Sequence, residues 1–293
     1  MIHKAGFINI IGKPNVGKST LMNQLVGTKL SIINSKAQTT RHRIMGIVND
    51  DDYQLIFSDT PGVVDAKYKL HEGMNNFVKS AFQDADVFLF VVEINEKPEN
   101  QHVLVEKLAQ MEVPVILVLN KIDNAQQEDI KLKVSAWTEK LPKATIIPIS
   151  ALHKFNVDIV LKEIIEFTPE SPAYFPKDEL TDKPMRFFVS EIIREKIMTH
   201  YKQEIPYSSE VEVESYVNEK KIVKISAVIY VMRESQKGII IGKGGVALKR
   251  VGTEARRDIE RFIDKKVFLQ LFVKVDKDWR DDPKKLKRYG YLD

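Results

Sequence analysis

The sequence predicts an α/β fold: a doubly wound, mostly parallel sheet, followed by a smaller α+β domain. Three observations carry this. Near-continuous apolar runs alternate with helix-period segments through the first 168 residues. A glycine loop, Gly12-Lys13-Pro14-Asn15-Val16-Gly17-Lys18-Ser19, follows the first run and precedes the first helix. A proline-rich break near residue 169 leads into elements of a different order.

Phe7–Ile11 reads as a short strand ending at the glycine loop, and Lys18–Val26 as the helix after it. Gln54–Ser58 is a strand entering Asp59. Val87–Val92, Val113–Leu119 and Thr145–Ile149 are apolar almost throughout, as strands buried on both faces of a parallel sheet must be. Helical periods lie between and after them, at His102–Met111, Gln127–Leu141 and Val157–Phe167. Ligand loops belong at the carboxyl ends of such strands.

Thr168-Pro169-Glu170-Ser171-Pro172 and the following residues, with Pro176, read as a semi-stiff linker over 169–183. This divides the chain into 1–168, 169–183 and 184–293. In the last part Phe188–His200 is helical. Ser209–Ser215 and Ile222–Val231 alternate as strands, and Lys237–Ile241 leads into a glycine turn. Val246–Ile263 is a long amphipathic helix, and Val267 to Val275 alternate as a final strand. The charged tail Arg280–Arg288 reads as a solvated end.

A chain of 293 residues suits one large or two ordinary domains. Its 43% apolar and 29% charged residues are those of a soluble globular protein. The absence of cysteine excludes disulfides and thiolate metal sites, and agrees with a reducing cytoplasm. Met1 to Phe7 carry no signal-peptide pattern, and no apolar run approaches the roughly 18–20 residues that span a bilayer. From Pro184 onward there are 24 Lys and Arg against 17 Asp and Glu, a balance of +7. The preceding part holds 21 against 24, a balance of −3. A polyanion would therefore be met by the C-terminal part.

The chemistry lies in four ordered segments. Gly12 and Gly17 let the loop from Gly12 to Ser19, continued by Thr20, point backbone N–H groups at phosphates at a helix N-terminus. Lys18 supplies charge to the β- and γ-phosphates, and Ser19 a magnesium ligand. In Asp59-Thr60-Pro61-Gly62, Asp59 holds magnesium through water and Gly62 offers its N–H to the γ-phosphate. That contact vanishes on hydrolysis, so residues 60–75 form one switch. The other lies in the polar stretch Ser35–Arg43, where Thr39 or Thr40, with Thr40 preferred, completes the magnesium shell. Arg41 is a candidate in the same stretch, and a solvated loop is the plain alternative for Arg41 and His42 individually. In Asn120-Lys121-Ile122-Asp123 the Asp123 carboxylate pairs with the ring N–H and amino group of guanine while the Lys121 stem covers the base. Adenine lacks that donor pair, so the site selects GTP over ATP. Ser150-Ala151, after the fifth strand, offers a backbone N–H to the guanine carbonyl.

The position after Gly62 is Val63, followed by Val64, where many signalling GTPases carry a water-orienting glutamine. Hydrolysis needs another device. Asn15 with the Thr39–Thr40 backbone could hold a potassium ion near the β–γ bridge, or Asn15 could serve only the loop's turn.

Gly242-Lys243-Gly244-Gly245 follows an isoleucine run between two helical stretches. Gly242 and Gly245 allow close backbone approach, and Lys243 neutralises phosphate. Lys249, Arg250, Arg256 and Arg257 extend the positive face. With the order α-β-β-α-turn-α-β this resembles a type II KH domain, whose GXXG loop clamps single-stranded nucleotides. The plain alternative is a helix–turn–helix corner. Over essentially all residues the chain resembles the Era family of bacterial GTPases, a P-loop GTPase domain joined to a KH domain. The likeness includes Gln38-Thr39-Thr40-Arg41-His42-Arg43, Ser190 to Lys196, Ile241–Gly245, Trp279-Arg280-Asp281-Asp282 and Gly290-Tyr291. It implies a cytoplasmic GTPase, with GTP or GDP and Mg2+ bound, in part peripheral on the cytoplasmic face of the cell membrane. It also implies binding to the 3′ region of 16S ribosomal RNA and a role in 30S subunit maturation. We expect a monomer.

Two other readings are open to test. One is a regulatory GTPase whose C-terminal domain docks a protein or membrane partner, which would lack the steep salt dependence of RNA binding. The other, an ATP-dependent small-molecule kinase, is disfavoured by Asn120 and Asp123.

Overall fold

Lys4–Ile11 forms the first strand, β1, because its apolar residues face both sides of a covered sheet. The computed structural model describes residues 3–36, 38–62 and 65–292, and these fall into two compact units. Unit 1 is drawn from 1–31, 40–64 and 74–182; unit 2 from 32–39, 65–73 and 183–293.

After β1 the chain runs through α1 (Lys18–Val26), β2 (Ile44–Asn49), β3 (Tyr53–Asp59), α2 (Lys69–Ala81) and β4 (Val87–Glu93). It continues with α3 (His102–Ala109), β5 (Val115–Asn120), α4 (Gln127–Lys140), β6 (Thr145–Pro148) and α5 (Val157–Phe167). The sheet order is β2-β3-β1-β4-β5-β6. All neighbours are parallel except β2 with β3, which are antiparallel. The strand order reverses at β1, so the glycine loop leaves the sheet at its topological switch point.

Two elements here escape the sequence reading. The strand β2 follows the polar stretch Ser35–Arg43, in residues to which the sequence reading assigns no element. It is fixed by Arg43, whose guanidinium spans Asp84 (2.7 and 2.9 Å), Ser58 Oγ (2.6 Å) and Asn9 Oδ1 (3.2 Å). The helix α2 begins within the expected switch segment, so residues 69–75 are helical. One face of the sheet packs Phe88, Phe90, Leu117 and Leu119 against Val105, Leu108 and Trp137 of α3 and α4. Each such side chain contributes roughly 1.5–3 kcal/mol by leaving water.

The proline-rich segment after α5 is tied to unit 1 through Gln54. Its Nε2 donates to the Phe175 carbonyl at 2.8 Å, and its Oε1 accepts from the amides of Tyr174 and Phe175 at 2.7 and 2.9 Å. Further on, the Ile47 amide donates to the Leu180 carbonyl at 2.8 Å, lengthening the sheet edge at β2.

Unit 2 holds α6 (Met185–His200), α7 (Ile205–Ser208), β7 (Glu210–Asn218), β8 (Val223–Val231) and α8 (Glu234–Ile241). It closes with α9 (Val246–Ile263), β9 (Val267–Val275) and α10 (Pro283–Arg288). The strands lie in the order β7-β8-β9, antiparallel then parallel. The core is periodic in each layer: Val189, Ile193 and Ile197 on α6, Ile225, Ala227 and Ile229 on β8, Val251, Ala255 and Ile259 on α9.

Within Arg280–Arg288, Asp281, Pro283, Lys284, Lys287 and Arg288 are exposed as expected, while the buried Leu286 and the flanking, buried Trp279 and Tyr291 anchor the tail. The Trp279 indole donates to the Ser208 carbonyl at 3.1 Å and the Tyr291 hydroxyl to Glu210 at 2.7 Å. Asp282 caps α10 through the amides of Lys284 and Lys285 at 2.9 and 3.4 Å, with Pro283 in the first turn. The Asp-Pro pair is a readable start signal that the density of charge obscures. Among the described residues no helix is long and apolar enough to cross a membrane.

Candidate functional site

The loop from Gly12 to Ser19 joins β1 to α1, and its glycines are there for space. Gly17 has φ +102°, and a Cβ on it would stand 2.2 Å from Asn120 Nδ2. Lys18, the first residue of α1, turns back so that Nζ donates to the carbonyls of Gly12 and Lys13, both at 2.9 Å. Burial pushes its pKa down to about 8, with Asp59 pulling the other way. An ammonium held by loop carbonyls is pre-aimed at the place where the loop amides would receive phosphate.

Three oxygens meet at the start of α1. Ser19 Oγ donates to Asp59 Oδ2 at 2.6 Å and lies 3.0 Å from Thr40 Oγ1, which is 3.3 Å from the same carboxylate oxygen. Asp59 Oδ1 is buried with no hydrogen-bond partner among the described residues. Burial raises the Asp59 pKa, while Lys18 and the hydroxyls oppose that shift. Two hydroxyls and a buried carboxylate with an unused oxygen form a hard donor set, which fits Mg2+. Of the two candidate threonines, the geometry brings Thr40 to this cluster. Thr39 instead bonds its hydroxyl to the Lys36 carbonyl at 2.6 Å. Arg41 and His42 are buried rather than solvated, because the chain here enters β2 under cover of Arg43 and its partners.

Thr60 anchors its segment by donating to the Ile10 carbonyl at 2.9 Å, and a Cβ on Gly62 would meet Pro14 at 2.6 Å. The glycine loop and this segment are therefore in contact. Val63 and Val64 lie outside the described residues. Asn15 is exposed with φ +65°, a turn conformation that asparagine tolerates.

At the end of β5, Asn120 is a brace. Its Nδ2 donates to the Val16 carbonyl at 2.8 Å and its Oδ1 accepts from the Ala151 amide at 3.0 Å. The amide expected to face guanine is thus satisfied by Asn120 here. Lys121 (φ +64°) extends to Glu93 at 2.9 Å, and Ser150 Oγ donates to Asp123 Oδ1 at 2.6 Å, fixing that carboxylate. Glu93 and Ser150 Oγ escape the sequence reading, since neither contact has a local spacing signal.

In unit 2 the loop Gly242–Gly245 leads from α8 into α9. Gly242, Gly244 and Gly245 have φ of +71°, +62° and +76°. A Cβ on Gly242 would meet that of Ala247 at 2.7 Å, whereas Gly244 and Gly245 face open space. Lys243 and Lys249 are exposed. Arg250 pairs with Glu254 at 3.2 Å and Arg256 with Glu260 at 3.1 Å, so part of the expected positive face is neutralised within α9.

Unit 2 also contains the chain immediately before Thr40. Arg194 on α6 holds Glu191 through two bonds of 2.7 and 2.6 Å, and donates to the carbonyl of Thr39. Burial works against its charge, but Glu191 outweighs burial and holds its pKa above the usual value. Lys36 donates to the carbonyls of Met198 and Tyr201 at the end of α6. A backbone grip of this kind leaves no trace in sequence.

A family model described as 50S ribosome-binding GTPase matches residues 7–121, and a KH domain model matches residues 204–280. The chain is 47% identical over 290 residues to GTPase Era of Geotalea uraniireducens, covering 98% of each. It is 45% identical over 295 residues to GTPase Era of Alkaliphilus metalliredigens, covering 99% of this chain and 100% of that one. Among solved structures it resembles Era in complex with MgGDPNP and nucleotides 1506–1542 of 16S ribosomal RNA, at 39% identity and a TM-score of 0.93 over 99% of both chains. An Era variant of Aquifex aeolicus bound to GDP and aluminium fluoride is alike to the same degree, at 39%, 0.93 and 99% of both.

Proposed function

The chain belongs to the Era family of GTPases, and on that premise we propose that it binds 16S ribosomal RNA near the 3′ end under control of its nucleotide and assists 30S subunit maturation. The observation that carries the reading is the full-length likeness to an Era bound to both MgGDPNP and 16S nucleotides. The G domain would span 1–168, a linker 169–183, and the KH domain 184–293.

Each residue then has a stated task. Lys18 and the amides of the loop from Gly12 to Thr20 hold the phosphates, and Ser19, Thr40 and Asp59 hold magnesium, which shields the phosphate oxygens when bound. Lys121 covers the base, Asp123 reads it, and Ser150, Ala151 and Asn120 keep that carboxylate and strand end in place. Thr60 and Pro61 carry Gly62, whose amide meets the γ-phosphate only in the GTP state. Asn15 would help hold a potassium ion, which would supply positive charge to the phosphates. Gly242, Lys243, Gly244 and Gly245 clamp the RNA backbone, with Lys249 and Arg250 beside them. Arg194 supports the link between the two activities. It grips the carbonyl of Thr39, the chain neighbour of Thr40, so loss of the Thr40 contact would be felt at α6.

The protein acts as a monomer in the cytoplasm, in part peripheral on the inner membrane. The test is the affinity of a synthetic RNA ending in the 16S 3′ sequence, with GDP and with a non-hydrolysable GTP analogue. We expect tighter binding with the analogue, and RNA must then raise analogue affinity by the same factor. Equal affinity in both states removes the switch. RNA binding with no salt dependence would favour a protein-docking role for the KH domain.

A further inference from the structure

A cavity of about 370 Å3 lies in unit 1 behind the loop segments that face the nucleotide, and it takes no part in the chemistry above. Ile11, Val78, Phe82 and Leu104 form its apolar wall. Gln101 also lines it, is 6% exposed, and has a buried Nε2 with no partner among the described residues. A buried amide donor without an acceptor is costly unless a ligand supplies one.

The charge of the lining is one-sided. Lys13 and Lys107 line the cavity, and no Asp or Glu does so among the described residues. The Lys107 ammonium sits 3.5 Å from the centre of the Phe82 ring, while Lys13 reaches out to Glu96 at 3.1 Å. Helix α3 opens on this cavity through His102, Val103 and Leu104. Its first turn holds no acidic residue and its start no side-chain cap, although a 3-10 turn, Pro98–Gln101, with Glu99 leads directly into it. An apolar wall, an unmatched donor and a cationic rim describe a ligand with a hydrocarbon body and one anionic oxygen head.

We propose that this cavity binds a medium-chain carboxylate, its head at Gln101 Nε2 and the start of α3 and its chain along Ile11, Val78, Phe82 and Leu104. Occupancy is linked to the nucleotide. The cavity is also lined by Gly12 and Lys13 of the phosphate loop and by Thr60 and Pro61 of the segment that ends at Gly62. A ligand there packs against both, and its affinity depends on how they are set.

The experiment is calorimetric titration of decanoate, below its micelle concentration, into the full chain loaded with GDP or with a non-hydrolysable GTP analogue. We expect saturable binding of one decanoate per chain, with decanol at least tenfold weaker. Gln101→Leu should weaken decanoate at least tenfold, and Leu104→Trp, which fills the cavity, should abolish binding. Affinity should differ at least threefold between the two nucleotide states. Absent or non-saturable decanoate binding overturns the site. So does undiminished binding to Gln101→Leu, a variant that removes only an unpartnered group and decides the matter if Leu104→Trp fails to fold. Equal affinities for decanol and decanoate overturn the anionic head, and equal affinities in the two nucleotide states overturn the linkage. No RNA is used, so these outcomes are separate from those that test the ribosomal role.

Discussion

Asn120 Nδ2 donates to the Val16 carbonyl at 2.8 Å, which ties the end of β5 to the glycine loop. The same side chain accepts from the Ala151 amide at 3.0 Å. One residue therefore joins three of the four motif segments. Asn120→Ala removes both bonds from a buried position. We expect a loss of about 2–3 kcal/mol in nucleotide-free stability, read by urea unfolding. An unchanged midpoint would mean that Asn120 serves the nucleotide alone.

Asp123 is held through Oδ1 by Ser150 Oγ at 2.6 Å. Asp123→Asn should shift preference from GTP to xanthosine triphosphate, whose additional carbonyl accepts from the new amide. Competition binding with the two nucleotides reads it. A retained GTP preference places base recognition elsewhere.

Gly245 offers the better test of the RNA loop, because a Cβ there meets nothing within 4 Å and the only cost is its φ of +76°, while one on Gly242 also collides with Ala247. Gly245→Asp should abolish RNA binding and leave GTP affinity within about twofold, through repulsion of phosphate and loss of close approach. Lys243→Ala should weaken RNA binding and lower the salt slope by about one unit. RNA affinity untouched by Gly245→Asp reduces the loop to a helix corner.

Asn15 sits at φ +65°, so Asn15→Gly keeps the backbone and deletes only the side chain. Turnover should be faster in potassium than in sodium at equal ionic strength, and Asn15→Gly should remove the difference while GDP affinity persists. If wild type turns over equally in both salts, the potassium role fails.

Arg194 is buried with Glu191 as its counter-ion, so Arg194→Ala strands a carboxylate and frees the Thr39 carbonyl. We expect a cost of about 3–5 kcal/mol in the thermal or urea unfolding of the full chain. Arg194→Lys should not restore it, since one ammonium cannot reproduce a forked contact. Restoration by lysine would show that charge alone matters.

Periodicity and punctuation account for what the sequence makes legible. Buried parallel strands must be apolar throughout, so β1, β4 and β5 stand out. α9 announces itself by its four-residue repeat and β9 by its two-residue one. The motif segments are legible because phosphate and guanine impose local requirements on neighbouring residues. Strand β2 is harder to see. Its placement depends on Arg43 meeting Asp84 and Asn9, which lie 41 and 34 residues away.

The sequence by itself determined the two fold classes, the guanine-type motif set, the glycine loop of the second unit and the family. Each rests on short local segments, every one legible within a turn or a strand, and on their order along the chain. Only the tertiary structure decided that Thr40 rather than Thr39 joins Ser19 and Asp59, and that Asn120 braces Val16 and Ala151. It alone showed that Trp279, Leu286 and Tyr291 anchor the charged tail and that Gln101, unpartnered among the described residues, lines a cavity with Lys13 and Thr60. The physical reason is common to all four. Burial and hydrogen bonding between residues far apart in the chain follow from how elements pack, and packing has no local period to read.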